Sequence, residues 1–499
     1  MRDAGVLLVS FSFMKKTGAL PPVAILLGVF ALSRLLYTTE SAGVGGLSAS
    51  GGIAGQARGA LSGAKLEVGT LERGMPLLDE RLLREDLWRS LYYLHSQPPL
   101  FNLFVAGMLR LPDFPRVYQY ANWTFGAALY VGTYALMRRL GAATAPALLL
   151  TIAFLLTPNA LWMESAIYYG VPIALLLVLA AVCFERAASS GSLAWFAGLC
   201  LVLAILPLTR AFFTLGWCAL AAGFAVLVLL RAGPRPAPEP ERRRKILLLA
   251  AVPVLLVLGF QLKQFLLFRQ FAGSSWLGCN LAAMTAGMRE AKQRELERGR
   301  VSPLVNVYRN APVEVYRLYF PVAPTKVAAL DEARKSGGEP NFNNAVYLPV
   351  GRQYLKDTLY LISRYPHLYL ANVVNSAYIF CGYQIGIYFD HPEKFFARWK
   401  WYEIAAPFLG FPLIASAVWY GIRRWRRGDG TRDPRLATIL FLTGNVIYVA
   451  LVACLVEKSE GPLYRFQVDA FLWTLLALAI TDRLSRGRRQ PAAASDVRD

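Results

Sequence analysis

Three carboxylates, Asp79, Glu80 and Asp86, stand within eight positions of one another. They are followed closely by His95, Gln97, Pro98, Pro99 and Phe101, in a chain that is otherwise mostly long apolar runs. A carboxylate held within hydrogen-bond reach of a hydroxyl takes up its proton as that oxygen attacks, so this group has the make-up of a general-base site. Further along, Pro207-Leu208-Thr209-Arg210 and Gly461-Pro462-Leu463-Tyr464-Arg465 each set an arginine beside a helix break, and Glu164 lies between two apolar runs. The planar guanidinium fork binds carboxylate or phosphate oxygens in pairs, which suits it to an anionic substrate. Charges of this kind cost roughly 2.5 to 3.5 kcal/mol each at the middle of a bilayer and little at its surface, so a site at a membrane surface is expected.

The elements that must position these residues follow from composition. Over 499 residues, 56% are hydrophobic and 17% charged, and the mean hydropathy is +0.39. This places the chain among polytopic membrane proteins. The net charge of +21 does not point to nucleic acid, because the basic residues fall in short clusters between apolar runs, as membrane topology requires. Six cysteines without CxxC spacing indicate neither a zinc site nor a disulfide framework, and Cys183, Cys200, Cys218 and Cys454 read as apolar core.

Apolar runs near 20–37, 117–137, 143–162, 167–184, 192–209, 211–230, 246–267, 404–422, 436–456 and 467–482 predict about ten transmembrane helices. The Pro98-Pro99 segment, roughly 98–111, is apolar but shorter than the ~20 residues a crossing needs. If it does not cross, Lys15-Lys16, Arg138-Arg139, Arg231 to Lys245, Arg423 to Arg435 and Arg483 to Arg489 all fall on one side, as the positive-inside rule demands. It is therefore expected to lie on the outer leaflet as an interfacial helix, with its prolines in the first turn. The fold class is all-α. An N-terminal transmembrane module, 1–267, carries the first outer loop, 38–116. An outer-face and mostly helical loop domain covers 268–403, and 404–499 holds the last helices and a cytoplasmic tail. The Gly/Ala/Ser-rich stretch 42–64 suits a flexible loop. Asn341 to Asn344 suit a turn in the second outer segment. The run after Lys15-Lys16 resembles an uncleaved signal anchor.

Asp79-Glu80 and the segment from His95 through Gln97, Pro98 and Pro99 to Phe101 together resemble the GT-C superfamily of membrane glycosyltransferases. The nearer likeness is to the branch with protein O-mannosyltransferases and lipid A aminoarabinose transferases, akin to glycosyltransferase family 39. Thr157-Pro158-Asn159 to Tyr168-Tyr169, Leu208-Thr209-Arg210 and Tyr464-Arg465-Phe466 fall where that branch has similar features. The resemblance implies transfer of a sugar from a polyprenyl phosphate to a lipid, glycan or protein acceptor, at the outer face of a bacterial inner membrane and with inversion. It makes Asp79 the first choice of base, with Glu80 orienting the acceptor and Asp86 the alternate base. Arg210 and Arg465 would hold the leaving phosphate. His95 and Gln97 would support phosphate or sugar, and Glu164 would be a second carboxylate across the cavity. No cofactor is implied, since Asp79, Glu80 and Asp86 furnish only part of a divalent-cation ligand set.

Plainer roles compete. Asp79 would pair with Arg81 or Arg84 in an exposed loop, Glu164 would bind a neighbouring helix, His95 would pack at a helix start, and Arg34 and Lys263 would anchor at the interface. Asn122-Trp123-Thr124 matches a glycosylation sequon at the edge of a span and reads as chance. A transporter or flippase would place charges or breaks at mid-span, and the acidic first loop disfavours a ligase or polymerase of polyprenyl-linked glycans.

Overall fold

The computed structural model describes residues 20–43, 77–165, 167–231, 239–382, 400–426, 433–458 and 460–487. The protein is all-α: among the described residues there is no strand, and Arg334 and Pro340 form an isolated bridge. Most of the glycine-rich stretch at 42–64 and the tail beyond 487 lie outside the described residues.

The first long helix, α1 (Leu20–Gly43), carries Pro21 and Pro22 in its first turn, where the missing N–H groups leave no bond unmade. Two short helices, α2 (Glu80–Glu85) and α3 (Leu87–Tyr92), hold the acidic motif, and α4 (Leu100–Met108) follows Pro99. With nine residues, α4 is roughly 14 Å long and cannot span a bilayer. Helix α5 (Phe114–Arg139) starts with Pro115 and ends in Arg138 and Arg139, cations that complement the helix dipole. Gly141, at φ 84°, then turns the chain in a conformation that glycine adopts without strain.

The apolar run expected at 143–162 is not one helix. It divides into α6 (Thr144–Leu155) and α7 (Pro158–Ser165). Pro158 has no N–H to continue the ladder, and Thr157 restarts it by accepting from the Ala160 N–H at 3.3 Å. Then come α8 (Gly170–Ser190), α9 (Leu193–Thr209), α10 (Leu215–Arg231) and α11 (Pro240–Phe268). A cluster of short helices follows: α12 (Leu277–Ala282), α13 (Arg289–Glu297), α14 (Val313–Arg317) and α15 (Ala328–Asp331), leading into α16 (Tyr347–Arg364) and α17 (Pro366–Cys381). The chain finishes with α18 (Lys400–Trp425), α19 (Pro434–Val456) and α20 (Gly461–Gly487).

Among the described residues four helices, α8, α11, α19 and α20, are long and apolar enough to cross a membrane, and four shorter apolar helices accompany them. Burial separates their roles. The apolar window of α20 is 78% buried and that of α8 61%, whereas that of α11 is 28% buried. Helix α8 packs against α5, α9, α19 and α20 at the centre. On α11, Leu248, Leu255, Leu256, Leu262 and Leu266 are each at least 48% exposed, an apolar face suited to lipid rather than water.

The short helices between α11 and α17 build a small core of their own around Trp276, Val313, Tyr316, Tyr347 and Tyr354. Helices α12 and α16 meet at glycines: a Cβ on Gly278 would stand 1.9 Å from the Gly351 carbonyl oxygen. Helix α17, expected in the outer loop domain, packs on α18, α19 and α20. Its Leu368 and Tyr369 pack on the short-helix cluster around Met288, Ala291 and Val301 as well, so α17 joins that cluster to the helix bundle, while Leu370 and Val374 are exposed.

Candidate functional site

Asp79 is the N-cap of α2. Its carboxylate accepts from the Arg81 N–H at 2.8 Å, the Ser336 N–H at 2.7 Å and the Ser336 hydroxyl at 2.8 Å. It is buried and joins two loops 257 positions apart. The pairing with Arg81 or Arg84 goes elsewhere. Arg84 bonds Glu80 at 2.8 Å and Arg81 bonds Glu332 at 2.6 Å. The second oxygen of Glu80 is enclosed with no hydrogen-bond partner. Asp86 sits half-buried at the joint of α2 and α3, where its carboxylate makes no cap bond.

His95 is fully enclosed. Its Nδ1 lies 2.7 Å from the Ser275 hydroxyl, its ring meets Phe268 edge-on at 5.2 Å, and Nε2 has no partner. Burial pushes its pKa down to about 3, so the imidazole is neutral. Its backbone is bonded as tightly: the N–H groups of His95 and Ser96 both donate to Asn343 Oδ1, and the Ser275 N–H donates to the His95 carbonyl. The Asn341–Asn344 turn thus holds the segment before α4 to the short-helix cluster between α11 and α17. Gln97 is half-buried beside it, and buried Asn102 of α4 accepts from the Leu78 N–H at 2.8 Å.

Arg210 ends α9 in an extended conformation three residues after Pro207. Its guanidinium carbon lies 4.2 Å from the Tyr464 ring, 4.6 Å from Tyr169, 5.6 Å from Phe212 and 5.8 Å from Tyr168. The side chain is 3% exposed. Among the described residues it makes no hydrogen bond, and its Nη1 is an enclosed donor without a partner. Aromatic faces attract the cation but leave its N–H groups unsatisfied. Glu460, at the start of α20, acts on it through space. Phe101 of α4 packs edge-on against Tyr169 at 5.3 Å, and the Tyr118 hydroxyl donates to the Tyr168 carbonyl. The Pro-Pro helix therefore rests on this cage.

Glu164 and Arg465 are engaged differently. Glu164 takes Arg34 Nε at 2.8 Å and Nη2 at 2.5 Å together with the Tyr130 hydroxyl at 2.5 Å, all buried. Arg34 is accordingly a buried partner and not an interfacial anchor. Lys263 donates to the Tyr92 carbonyl at 2.9 Å and lies over the Phe260 ring at 5.0 Å and the Tyr92 ring at 5.8 Å. Arg465 donates to the carbonyls of Phe380 at 3.1 Å and Cys381 at 2.6 Å and pairs with Asp469 at 3.2 Å, which seats the end of α17. Asn122 is buried and donates to the Glu164 carbonyl at 2.8 Å, so this sequon asparagine is inaccessible.

Sequence reasoning passed over the aromatic walls of the cage as a unit, and over Glu460, Ser275, Ser336 and the Arg309–Glu457 pair at 2.8 Å. Partners separated by 148 to 257 positions leave no local signal. The six cysteines are all free thiols, and no group of three or more His, Cys, Asp or Glu among the described residues is placed to hold a metal ion. Compared with known protein families, curated proteins and solved structures, the chain matches none of them.

Proposed function

We propose that the chain is an integral membrane glycosyltransferase of GT-C type. It would move a sugar from a polyprenyl phosphate to a hydroxyl acceptor at the outer membrane face, with inversion at the anomeric carbon. The observation that carries this reading is Arg210: a buried guanidinium walled by tyrosines, with an enclosed N–H and no hydrogen-bonding partner among the described residues. Glu460 acts on it only through space; a buried guanidinium with an unsatisfied N–H is costly unless a ligand supplies the acceptor, and a phosphate oxygen has the matching charge and geometry.

In this reaction the acceptor oxygen bonds the anomeric carbon, the bond from that carbon to the phosphate oxygen breaks, and the acceptor proton passes to a carboxylate. The departing polyprenyl phosphate gains negative charge, which Arg210 would stabilise in a site shielded from water. Asp79 is the first choice of base. Its oxygens already accept three hydrogen bonds, so its use requires Ser336 to release it on binding. Glu80 and Asp86 retain acceptor capacity beside it. His95 and Gln97 would shape the donor side of the pocket, Glu164 would hold the cavity wall through Arg34, and Arg465 would hold α17. About ten crossings with the basic clusters on the cytoplasmic side are part of the same proposal.

The test is sugar release from candidate polyprenyl-phosphate donors by lipid-reconstituted protein. Asp79→Asn and Asp86→Asn are assayed separately beside Arg210→Gln. Full transfer by both carboxylate variants sinks the base assignment, and full transfer by Arg210→Gln sinks the phosphate site.

A further inference from the structure

Some 17 positions beyond Arg465 on α20 stands Asp482, roughly 26 Å further along the helix and so at the opposite end from the arginine cage. A groove of about 310 Å³ opens there between α18 and α20. Trp419, Leu476 and Ile480 form its apolar wall, and Arg423 and Arg483 stand at its mouth.

The floor is neutral. Arg424 pairs with Asp482 at 3.1 Å and donates to the Tyr420 hydroxyl at 3.2 Å, while that hydroxyl donates to Asp482 at 3.1 Å. One cation and one carboxylate cancel. Arg423 and Arg483 remain, exposed and with no hydrogen-bond or ion-pair partner among the described residues. Cations in a last helical turn complement the helix dipole, which applies to Arg423 and Arg424 of α18 alike, but not to Arg483 of α20, which joins them on the groove. Trp419 lies four positions before Arg423 on the same helix face and is 57% exposed, the habit of an indole at a membrane interface.

We propose that this groove binds an anionic phospholipid, its phosphate between Arg423 and Arg483 and the first part of an acyl chain along Trp419 and Ile480. Charge complementarity selects the occupant: a net double positive mouth above an apolar wall, between two helices of a membrane protein, fits a lipid with one negative headgroup. The volume admits a headgroup and a short length of chain, at the lower limit of ligand pockets. This inference does not depend on the transferase reading.

The experiment titrates the full-length, detergent-solubilised protein with phosphatidylglycerol and, separately, phosphatidylcholine, and counts bound lipid by native mass spectrometry. Phosphatidylglycerol is expected to bind more tightly. Arg423→Gln/Arg483→Gln is expected to weaken it roughly 30-fold, for two surface charges removed. Arg423→Lys/Arg483→Lys keeps the charge and should bind within about threefold of the native protein. Arg243→Gln/Arg244→Gln, on a second basic groove at the start of α11, should bind as the native protein does. Equal affinity for the two lipids, a loss below about threefold in the glutamine variant, an equal loss in the lysine variant, or an equal loss in the α11 variant overturns the proposal. Displacement of the lipid by stoichiometric inorganic phosphate also overturns it, because the groove would then be a free-anion site.

Discussion

At the scale of single residues, Arg210 and Glu164 show two ways of burying a charge. Glu164 is satisfied within the fold by Arg34 and Tyr130, whereas Arg210 has aromatic faces and an orphan N–H. The difference is measurable. Arg210→Gln is expected to lower transfer by about 10²- to 10³-fold while leaving the melting temperature unchanged or higher, because a binding group unsatisfied without its ligand contributes little to folding. Arg210→Lys should not restore transfer, since an ammonium cannot make the paired contact. His95 yields a pH prediction. Its folded pKa, about 3, lies below the ordinary value near 6.5, so the unfolded chain binds more protons between these values. The stability contributed by neutral His95 is complete above about pH 6.5 and falls by on the order of a few kcal/mol as pH drops toward 3. Thermal melts over that range should show His95→Gln, which does not titrate, to be less acid-sensitive than the native protein. Equal acid sensitivity would mean that other groups govern the loss.

At the scale of elements, breaks place the site. Pro158 divides α6 from α7, and Pro207 precedes the extended Arg210. Pro207 was legible in the sequence as a break beside Arg210, because a missing N–H and a fixed φ act locally, whereas Pro158 lay inside a run expected as one span at 143–162. What holds the pieces afterwards was not legible. Glu164, just beyond the first break, ties α7 to α1 across 130 positions. Removing one partner of such a buried pair costs about 3 to 5 kcal/mol. Glu164→Gln should therefore lower the melting temperature sharply, and Arg34→Met/Glu164→Met should recover a large part of the loss, as judged by thermal unfolding in detergent. A double variant as unstable as the single one would show that the charges themselves are not the issue. In the short-helix cluster, Gly278→Ala drives a methyl into the Gly351 carbonyl. Overpacking of this kind costs about 1 to 3 kcal/mol or more, and hydrogen exchange should show α12 and α16 losing protection together.

At the scale of the whole molecule, the arrangement has a buried centre in α8 and α20 and an apolar rim in α11. The charge distribution along the chain predicts which ends share a side. Ser189 and Ser190 at the end of α8 are exposed, as is Arg426 near the end of α18. Single cysteines at Ser190 and at Arg426, in a background without reactive native thiols, should react with an impermeant maleimide from the same side of sealed vesicles. A cysteine at Ser363, exposed near the end of α16, should react from the other. Labelling of Ser190 together with Ser363 would overturn the topology.

The sequence by itself determined the all-α class and most limits of the long apolar helices. Hydropathy, proline and glycine act over one turn or one span, so runs such as 192–209 and 436–456 emerge within a few residues of α9 and α19. It also marked out Asp79, His95 and Arg210 as residues to watch. The tertiary structure alone decided what each of them touches. Ser336 on Asp79, Ser275 on His95, four rings around Arg210, and α17 docked on the last helices are contacts between segments far apart in the chain. No local propensity encodes such contacts. They arise because burying a polar group demands a partner, and only the packed fold determines which partner is within reach.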